Sequence, residues 1–557
     1  MKRTLLVTFG DDHVVRCRLY TTVGALLRKV RTPGKDDCLG ALVNNEVSSL
    51  SYPLTTDSTV IPLYGSSLDG ARIYRNTLSF VLAKAIGELC PDARFTIHHS
   101  LGTGLYCSFE DNRAGGRKAV VTRSTVARIE RLMRVIVGRD LPIERIKLSF
   151  EQGVAHFTRT GQADKLNLLR FRNPPRIVIH SCAGFSDLAH SPLAARTGVL
   201  KVFKLIHYPP GFVLQLPDRA SPDRVAPFVD QPHLFRIFQE HKEWGRILNV
   251  TTVGRLNEIV ANGEISEFIK VAEALHEKKT ASIADQIVSR DSKVILIAGP
   301  SSAGKTTFSK RLSVQLRVSG LRPVTLSTDD YFLDESHTPR DVDGKLDFEH
   351  IEAVDIDLFN EHLKCLLGGG EVERVEFDFA AKLRRLSGHT MRLESDQVLI
   401  IEGIHGLNPR LTHMVPGKRK FKVFVSALTQ LAIDSNNRIS TTDNRLMRRI
   451  VRDSRFRGNS PLSTLKVWPS VRRGEETWIF PFQRESDAAF NSALDYELAV
   501  LKPMVEPLLR EIKPTDPEYS EARRLSAFLS NFREISDYEV PRTSILREYI
   551  GRSGFKY

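Results

Sequence analysis

Hydrophobic and polar residues alternate along the first part of the chain. The alternation runs through residues 4–18 and 43–63, and a helical pattern at residues 23–30 lies between them. A period of two is typical of strands that are buried on one face. Residues 1–66 are therefore predicted to form a small β-grasp domain.

The pattern changes after residue 66. Amphipathic helices are predicted at residues 76–89 and near 125–137, and strands at segments such as 105–109 and 176–180. Helices and strands mixed in this way indicate a second, α+β domain over residues 67–209.

Prolines interrupt the pattern at the end of this domain. Pro209 and Pro210 are followed by the polar segment 217–227, and consecutive helical patterns then fill residues 234–286. We predict that residues 210–288 form a helical connector.

A nucleotide site is predicted where the apolar run Val294–Ala298 leads into Gly-x-x-x-x-Gly-Lys-Thr and a helical pattern at residues 308–316. The glycines let successive N–H groups point at phosphate oxygens, Lys305 adds a full positive charge, and Thr306 offers a hydroxyl to Mg²⁺. A Gly-rich turn that only joins a strand to a helix is the alternative, but so many fixed positions favour a phosphate site. The residues expected to bind the nucleotide are Gly299, Pro300, Ser301, Ser302, Ala303, Gly304, Lys305, Thr306 and Thr307.

Two acidic residues follow predicted strands of the same region. The strand at residues 323–327 leads into Asp329, and the apolar strand at 398–402 ends in Glu402. Ligands gather at the carboxyl ends of strands in open α/β sheets. Asp329 is therefore the candidate base toward an acceptor hydroxyl, with a helix cap or turn residue as the alternative, and Glu402 is a candidate Mg²⁺ ligand.

A cluster of basic residues lies further along the chain. Between residues 445 and 473 nine lysines and arginines accompany one acid, Asp453. Four arginines at i, i+3, i+4 and i+7 would share one face of a helix. We interpret the segment as a lid whose arginines contact phosphates, although a solvated basic face is the usual alternative. The four are Arg445, Arg448, Arg449 and Arg452.

Composition narrows the class of protein. A chain of 557 residues with 41% apolar content can form roughly three or four domains with real cores. Its six cysteines lack metal-ligand spacing, which favours a reducing compartment. No apolar run reaches the roughly 18 residues of a membrane span, so we expect a cytoplasmic protein without a membrane partner. The formal charge of +14 suggests an anionic partner, either nucleotide or nucleic acid.

Five segments of the C-terminal part together resemble the uridine kinase and phosphoribulokinase family. The likeness covers about residues 290–510, within a predicted domain of residues 289–557. It implies an α/β fold with the parallel sheet of P-loop NTPases, and ATP and Mg²⁺ as cofactors. It also implies catalytic roles for Lys305, Asp329, Arg445 and Arg448, and a Mg²⁺ site at Thr306 and Glu402. The segments are Gly299–Thr307, Ser327–Phe332, Asp347–His350, Ile401–Gly406 and Asp443–Asp453.

The resemblance departs from the family where the acceptor would bind. Glu349 stands where uridine kinases have an Asp that binds ribose hydroxyls. After Phe377-Asp378-Phe379, Lys382 stands at about the position where the family has a His that contacts the base. A nucleoside such as uridine or cytidine, or a related sugar compound, is the implied acceptor, and an anionic sugar phosphate would suit the added lysine equally well. The expected substrate residues are Tyr331, Phe348, Glu349, Phe377 and Lys382.

The N-terminal part, about residues 1–207, resembles the β-grasp and editing domains of threonyl-tRNA synthetases. The likeness rests on segments such as 44–46 and 74–82. The editing motif His-x-x-x-His is absent, because its positions hold Asn76 and Phe80. We therefore expect an editing-like fold without editing chemistry.

Two functions follow from these patterns. The first is an ATP- and Mg²⁺-dependent kinase acting on a small-molecule hydroxyl, and the alternative is an RNA- or ribosome-associated protein that uses ATP as a switch. Asp329 separates them, because a kinase needs that base and a switch does not. For the N-terminal half we favour a scaffold over an RNA-binding role, since the arginine cluster lies elsewhere. The sequence leaves the oligomeric state open.

Overall fold

The N-terminal domain is a five-stranded sheet with one helix. The computed structural model describes residues 4–10, 13–30, 38–111, 121–378 and 381–557. Strands lie in the order β2-β1-β5-β3-β4, with β1 parallel to β5 and the other pairs antiparallel. This arrangement confirms the predicted β-grasp fold. The elements are β1 (Thr4–Phe9), β2 (Val14–Arg18), α1 (Val23–Val30), β3 (Gly40–Val43), β4 (Glu46–Ser48) and β5 (Ser58–Leu63).

The second domain combines two antiparallel sheets with four helices. One sheet has the order β11-β12-β7-β6 and the other β10-β9-β8. The elements are α2 (Leu68–Leu89), β6 (Ala93–Leu101), β7 (Gly104–Asp111), α3 (Arg123–Gly138), β8 (Glu144–Leu148), α4 (Phe150–Arg159), α5 (Ala163–Arg172), β9 (Ile177–Cys182), β10 (Phe185–Leu188), β11 (Lys204–Tyr208) and β12 (Gly211–Gln215).

The boundary predicted after residue 209 falls inside a hairpin. Pro209 and Pro210 form the turn between β11 and β12, and Phe212 of β12 lies opposite Cys107 of β7. The prolines therefore mark a tight turn and not a domain end, so the sheet of the second domain continues to Gln215.

A small hairpin and three helices follow. They are β13 (Pro217–Asp218), β14 (Ser221–Val225), α6 (Pro232–Leu248), α7 (Val253–Ala261) and α8 (Ile265–Ser289).

The C-terminal domain is built on a five-stranded parallel sheet of order β16-β19-β15-β20-β23, as the sequence predicted. Its elements are β15 (Val294–Ala298), α9 (Lys305–Val318), β16 (Arg322–Ser327), α10 (Ile356–Leu367), β17 (Glu371–Asp378), β18 (Leu383–Arg392), β19 (Gln397–Glu402), β20 (Lys420–Ser426), β21 (Ala432–Asp434), β22 (Asn437–Arg438), α11 (Thr441–Phe456), α12 (Pro461–Trp478), β23 (Ala488–Asn491), α13 (Glu497–Arg510), α14 (Tyr519–Leu529) and α15 (Arg547–Ile550).

The central strand β15 is apolar throughout because helices cover both faces of the sheet. Ile295 and Ile297 pack with Phe308 of α9, whereas Val294 and Leu296 face the cluster that contains α10. Residues Ile283 and Ile287 of α8 join the first of these clusters. Helix α8, the last part of the predicted connector, therefore contributes to the core of the C-terminal domain.

The domains are joined by partly buried polar contacts. Arg72 of α2 pairs with Glu521 of α14 at 2.6 Å, and the β21–β22 hairpin enters the second domain, where Asp434 lies 2.7 Å from His190. The main-chain N–H of Ile97 donates to the carbonyl of Ser435. Within the described ranges, none of the helices combines the length and apolar character needed to cross a membrane.

Candidate active site

The loop between β15 and α9 has the backbone of a phosphate-binding loop. A Cβ at Gly299 would lie 2.0 Å from the carbonyl oxygen of Val425, and Gly304 has a φ of +82°, which L side chains rarely adopt. Helix α9 begins at Lys305, so the free N–H groups of its first turn and its dipole point toward the loop. The Lys305 ammonium lies 3.5 Å from the carbonyl oxygen of Pro300, on the same loop.

The two predicted Mg²⁺ ligands are in contact. The hydroxyl of Thr306 donates to Oε1 of Glu402 at 3.0 Å, because β19 and β15 are neighbouring parallel strands. Burial raises the pKa of Glu402 to about 7, against the opposing effect of the Lys305 charge. A hydroxyl and one carboxylate fit Mg²⁺, which usually keeps several waters, although no cluster of three His, Cys, Asp or Glu residues occurs in the described part of the chain.

Asp329 lies in the turn at the carboxyl end of β16. The main-chain N–H of Thr328 donates to the carbonyl of Glu402 at 2.8 Å, which holds this turn against β19. The Asp329 Oδ1 atom is buried and has no hydrogen-bond partner among the described residues. An unpartnered carboxylate oxygen in this place is free to accept a proton, as a general base must.

Glu349 is a second buried acid in the site. Burial raises its pKa to about 7, and the nearby Glu475 carboxylate adds to the effect, whereas the Arg449 and Lys305 charges oppose it. Its Oε2 atom also lacks a hydrogen-bond partner among the described residues. The side chain is thus available to a ligand with hydroxyl groups.

The structure brings together only some of the predicted substrate residues. The ring centroids of Phe348 and Phe377 lie 6.2 Å apart, and Phe348 directly precedes Glu349 in the chain. Tyr331 instead packs on α10 and donates or accepts a hydrogen bond with His362 at 3.0 Å, and Lys382 pairs with Glu335 at 3.1 Å. Phe379, part of the predicted aromatic segment, lies outside the described residues.

The predicted arginine stripe is largely neutralised. Arg445 is 1% exposed and bonds Glu475 at 2.5 Å, and Arg448 is fully buried and donates from Nε to Glu497 at 2.8 Å. The expectation that few acids face these arginines is wrong, because the acids come from α12 and α13, outside residues 445–473. Two of the arginines also contact the loop: Nη1 of Arg449 donates to the Ser301 hydroxyl at 2.9 Å, and Nη1 of Arg448 lies 3.5 Å from the carbonyl oxygen of Ser302.

Two carboxylates that sequence reasoning missed bind N–H groups of the loop. Glu475 Oε1 accepts from the N–H of Ser301 at 3.0 Å, and Glu548 Oε2 accepts from the N–H of Thr307 at 3.2 Å. These are N–H groups that a phosphate would use. No local motif marks either acid, since Glu475 follows its loop partner by 174 residues and Glu548 by 241.

Comparisons with known proteins match the N-terminal and C-terminal parts of the chain to two different families. Residues 294–499 match the model of the Phosphoribulokinase / Uridine kinase family. A threonine–tRNA ligase from Desulforamulus reducens is 29% identical over 203 residues, which are 36% of this chain and 31% of that protein. The corresponding ligase from Burkholderia lata is 30% identical over 169 residues, 30% of this chain and 26% of that protein. The chain thus spans less than a third of the length of these curated relatives.

Solved structures with some likeness include two kinases. A chain described as a possible uridine kinase from Bacillus stearothermophilus is 17% identical, with a TM-score of 0.25, over 36% of this chain and 89% of that chain. A D-glycerate 3-kinase from Cryptococcus neoformans is 14% identical, with a TM-score of 0.20, over 46% of this chain and 92% of that chain.

Proposed function

We propose that this protein, whose residues 294–499 match the phosphoribulokinase / uridine kinase family, transfers the γ-phosphate of ATP to a hydroxyl of a small molecule. The observation that carries the proposal is the unpartnered buried Oδ1 of Asp329, which lies one strand away from the Thr306–Glu402 pair. A nucleotide switch needs no such base, whereas phosphoryl transfer to a hydroxyl does.

The residues of the loop supply the charge that the reaction needs. Lys305 and the N–H groups at the start of α9 would hold the phosphates, and Arg449 lies where it would reach the terminal phosphate. Thr306 and Glu402 would hold Mg²⁺, which neutralises charge on the phosphates when bound. Asp329 would take the proton of the acceptor hydroxyl. The acceptor oxygen bonds to the γ-phosphorus, and the bond between that phosphorus and the leaving ADP breaks.

The acceptor is proposed to be a nucleoside resembling uridine or cytidine, or a related sugar compound. Phe348, which is half-buried and packs edge-on against Phe377, offers an aromatic face to a planar base, and the uncommitted oxygen of Glu349 can accept a hydrogen bond from a sugar hydroxyl. Lys382 is engaged by Glu335, which weakens its case as an anchor for a phosphate on the acceptor.

The N-terminal half is proposed to act as a scaffold for the kinase domain. Arg72 pairs with Glu521, and Asp434 is buried against His190 and near Lys165, so charges from both halves neutralise one another. A filter-binding titration of the full chain against bulk tRNA at two salt concentrations tests this role. Binding tighter than about micromolar that weakens steeply with salt would favour the RNA-associated alternative.

The function is tested by measuring ATP turnover with a panel of nucleosides and sugar phosphates, and by identifying the phosphorylated product by mass spectrometry. We expect turnover that depends on one class of acceptor and on Mg²⁺. ATP binding without a phosphorylated product from any acceptor would instead support the switch.

A further inference from the structure

A cavity separate from the candidate active site lies between the editing-like domain and the kinase domain. Its volume is about 330 Å³, and its walls come from α2, α5, the β21–β22 hairpin and α14. None of the residues 299–307 of the phosphate loop lines it. The cavity therefore belongs to neither the proposed ATP site nor the acceptor site.

Three arginines in the walls have no acidic partner. Arg75 of α2, Arg172 at the end of α5 and Arg438 of β22 all line the cavity, and none forms an ion pair in the described part of the chain. The one hydrogen bond of Arg75 is a long contact of 3.4 Å to the amide oxygen of Asn76. Three elements from two domains thus each contribute an arginine to the walls of the cavity.

The acids that line the same cavity are already engaged. Asp443 accepts two hydrogen bonds from Arg524, at 2.7 and 2.8 Å, and Asp187 pairs with Lys165 at 2.8 Å. Asp69 pairs with Arg72 at 3.0 Å, and Glu46, which also lines the cavity, lies 4.0 Å from Arg523. None of these acids forms an ion pair with the three arginines, so their charge is compensated only in part, by the Asp443 carboxylate acting on Arg75 and Arg438.

Uncompensated buried charge of one sign is unfavourable. Burial lowers the pKa of Arg75 to about 9, and the neighbouring Arg438 and Arg72 charges lower it further, whereas the Asp443 charge opposes them. Burial also lowers the pKa of Arg172 and of Arg438, although the Asp443 charge raises the pKa of Arg438. An anion between the guanidinium groups would remove this penalty, since desolvated charges are tolerated when they are paired and hydrogen-bonded.

We propose that this cavity binds a small metabolite that carries a phosphate monoester. Guanidinium groups match the oxygens of phosphate in geometry, and a charge near −2 offsets three arginines better than one carboxylate does. The hydroxyl of Ser79 and the amide of Asn437 also line the cavity and suit a polar body on the ligand. Because Arg438 comes from the kinase domain, the site exists only where both domains are joined in one chain.

The test uses the chain of 557 residues with Lys305→Ala, which weakens the phosphate loop. The probes are glycerol 3-phosphate and inorganic phosphate. Binding is measured by calorimetry, and thermal unfolding is followed with and without probe. Variants Arg75→Gln, Arg172→Gln and Arg438→Gln are added singly. The matched control is Arg170→Gln, on the same helix as Arg172, because the Arg170 side chain is 68% exposed. The titrations are repeated in the chain that retains Lys305.

We expect glycerol 3-phosphate to bind and to raise the unfolding temperature, and each cavity variant to weaken binding at least tenfold while the control does not. Without probe, Arg75→Gln and Arg438→Gln should unfold at higher temperature than their parent, because they remove unpaired charge. Lower stability of both variants without probe, unchanged binding, or displacement of the probe by tRNA but not by small phosphate esters would overturn the proposal.

Discussion

Glu548 binds the start of the P-loop helix through Thr307. Its Oε2 atom accepts hydrogen bonds from the Thr307 N–H at 3.2 Å and from the Thr307 hydroxyl at 2.7 Å. The hydroxyl of Tyr557 also lies 2.8 Å from that threonine hydroxyl. The last residues of the chain therefore place a carboxylate on an N–H group that a nucleotide phosphate would need.

Replacing this carboxylate should strengthen nucleotide binding. Glu548→Ala removes a negative competitor for the Thr307 N–H, so the Kd for ATP should fall about threefold to tenfold, in line with the roughly 0.5–1.5 kcal/mol of one hydrogen bond. Equilibrium titration with ATP measures the change.

The control for that variant is Glu534→Ala. Glu534 is exposed and makes one long ion pair with Lys502, at 3.8 Å. Its removal should leave ATP affinity unchanged. If Glu548→Ala weakens ATP binding, Glu548 helps to build the nucleotide site and does not compete for it.

Lys305→Ala should abolish turnover and leave the fold intact. The substitution removes the full positive charge of the loop, while β15 and the apolar face of α9 keep their packing. Turnover is measured with the best acceptor, and circular dichroism checks the fold. A folded variant that turns over at the wild-type rate would place the ATP site elsewhere.

The stability of the protein should depend on pH through Glu402 and Glu349. Each has a pKa of about 7 in the folded protein against a usual value of 4.5, so the folded state binds extra protons between these values. The resulting stability is fully present below about pH 4.5 and is lost as the pH rises through about 7. Glu402→Gln, which mimics the neutral form, should match the wild type in unfolding temperature at pH 5 and exceed it at pH 8.

The matched control for pH dependence is Glu371→Gln, at an exposed position at the start of β17. It should shift the unfolding temperature equally at both pH values. Equal curves for Glu402→Gln and the wild type across this range would show that the Glu402 carboxyl is not held neutral.

Short-range patterns predicted the loop and the ends of its strands. The run Val294–Ala298 and the strand that ends at Glu402 are local signals, because burial of a strand on both faces requires apolar residues along its whole length. The strand that leads to Asp329 lies at the edge of the sheet and is only partly buried. The Thr306–Glu402 contact follows because β15 and β19 are neighbouring parallel strands whose carboxyl ends lie side by side.

Long-range pairing could not be predicted in the same way. The partner of Arg448 is Glu497, 49 residues later, and helical periodicity cannot show which acid will meet an arginine in the folded protein. The same limit applies to Glu548, whose place on the loop depends on the packing of the C-terminal segment. The hairpin at Pro209–Pro210 shows the opposite problem, since prolines punctuate turns and domain ends alike.

The protein should not hydrolyse mischarged tRNA. Asn76 donates to the Ser191 hydroxyl at 2.7 Å and Phe80 packs edge-on against Phe185, so neither position offers an imidazole. In a deacylation assay with mischarged tRNA, the rate with this chain should match the rate in buffer alone. Faster hydrolysis would mean that another residue, such as His180 in the same domain, supplies the chemistry.

The most direct measurement compares Asp329→Asn with the wild type in two assays, ATP binding and formation of phosphorylated acceptor from γ-labelled ATP. Asparagine keeps the shape of the side chain but cannot accept the proton. We predict unchanged ATP affinity and a loss of product formation of about 10²–10⁴-fold. Product formation at the wild-type rate, or a loss confined to ATP affinity, would contradict the assignment of Asp329 as the base of a kinase.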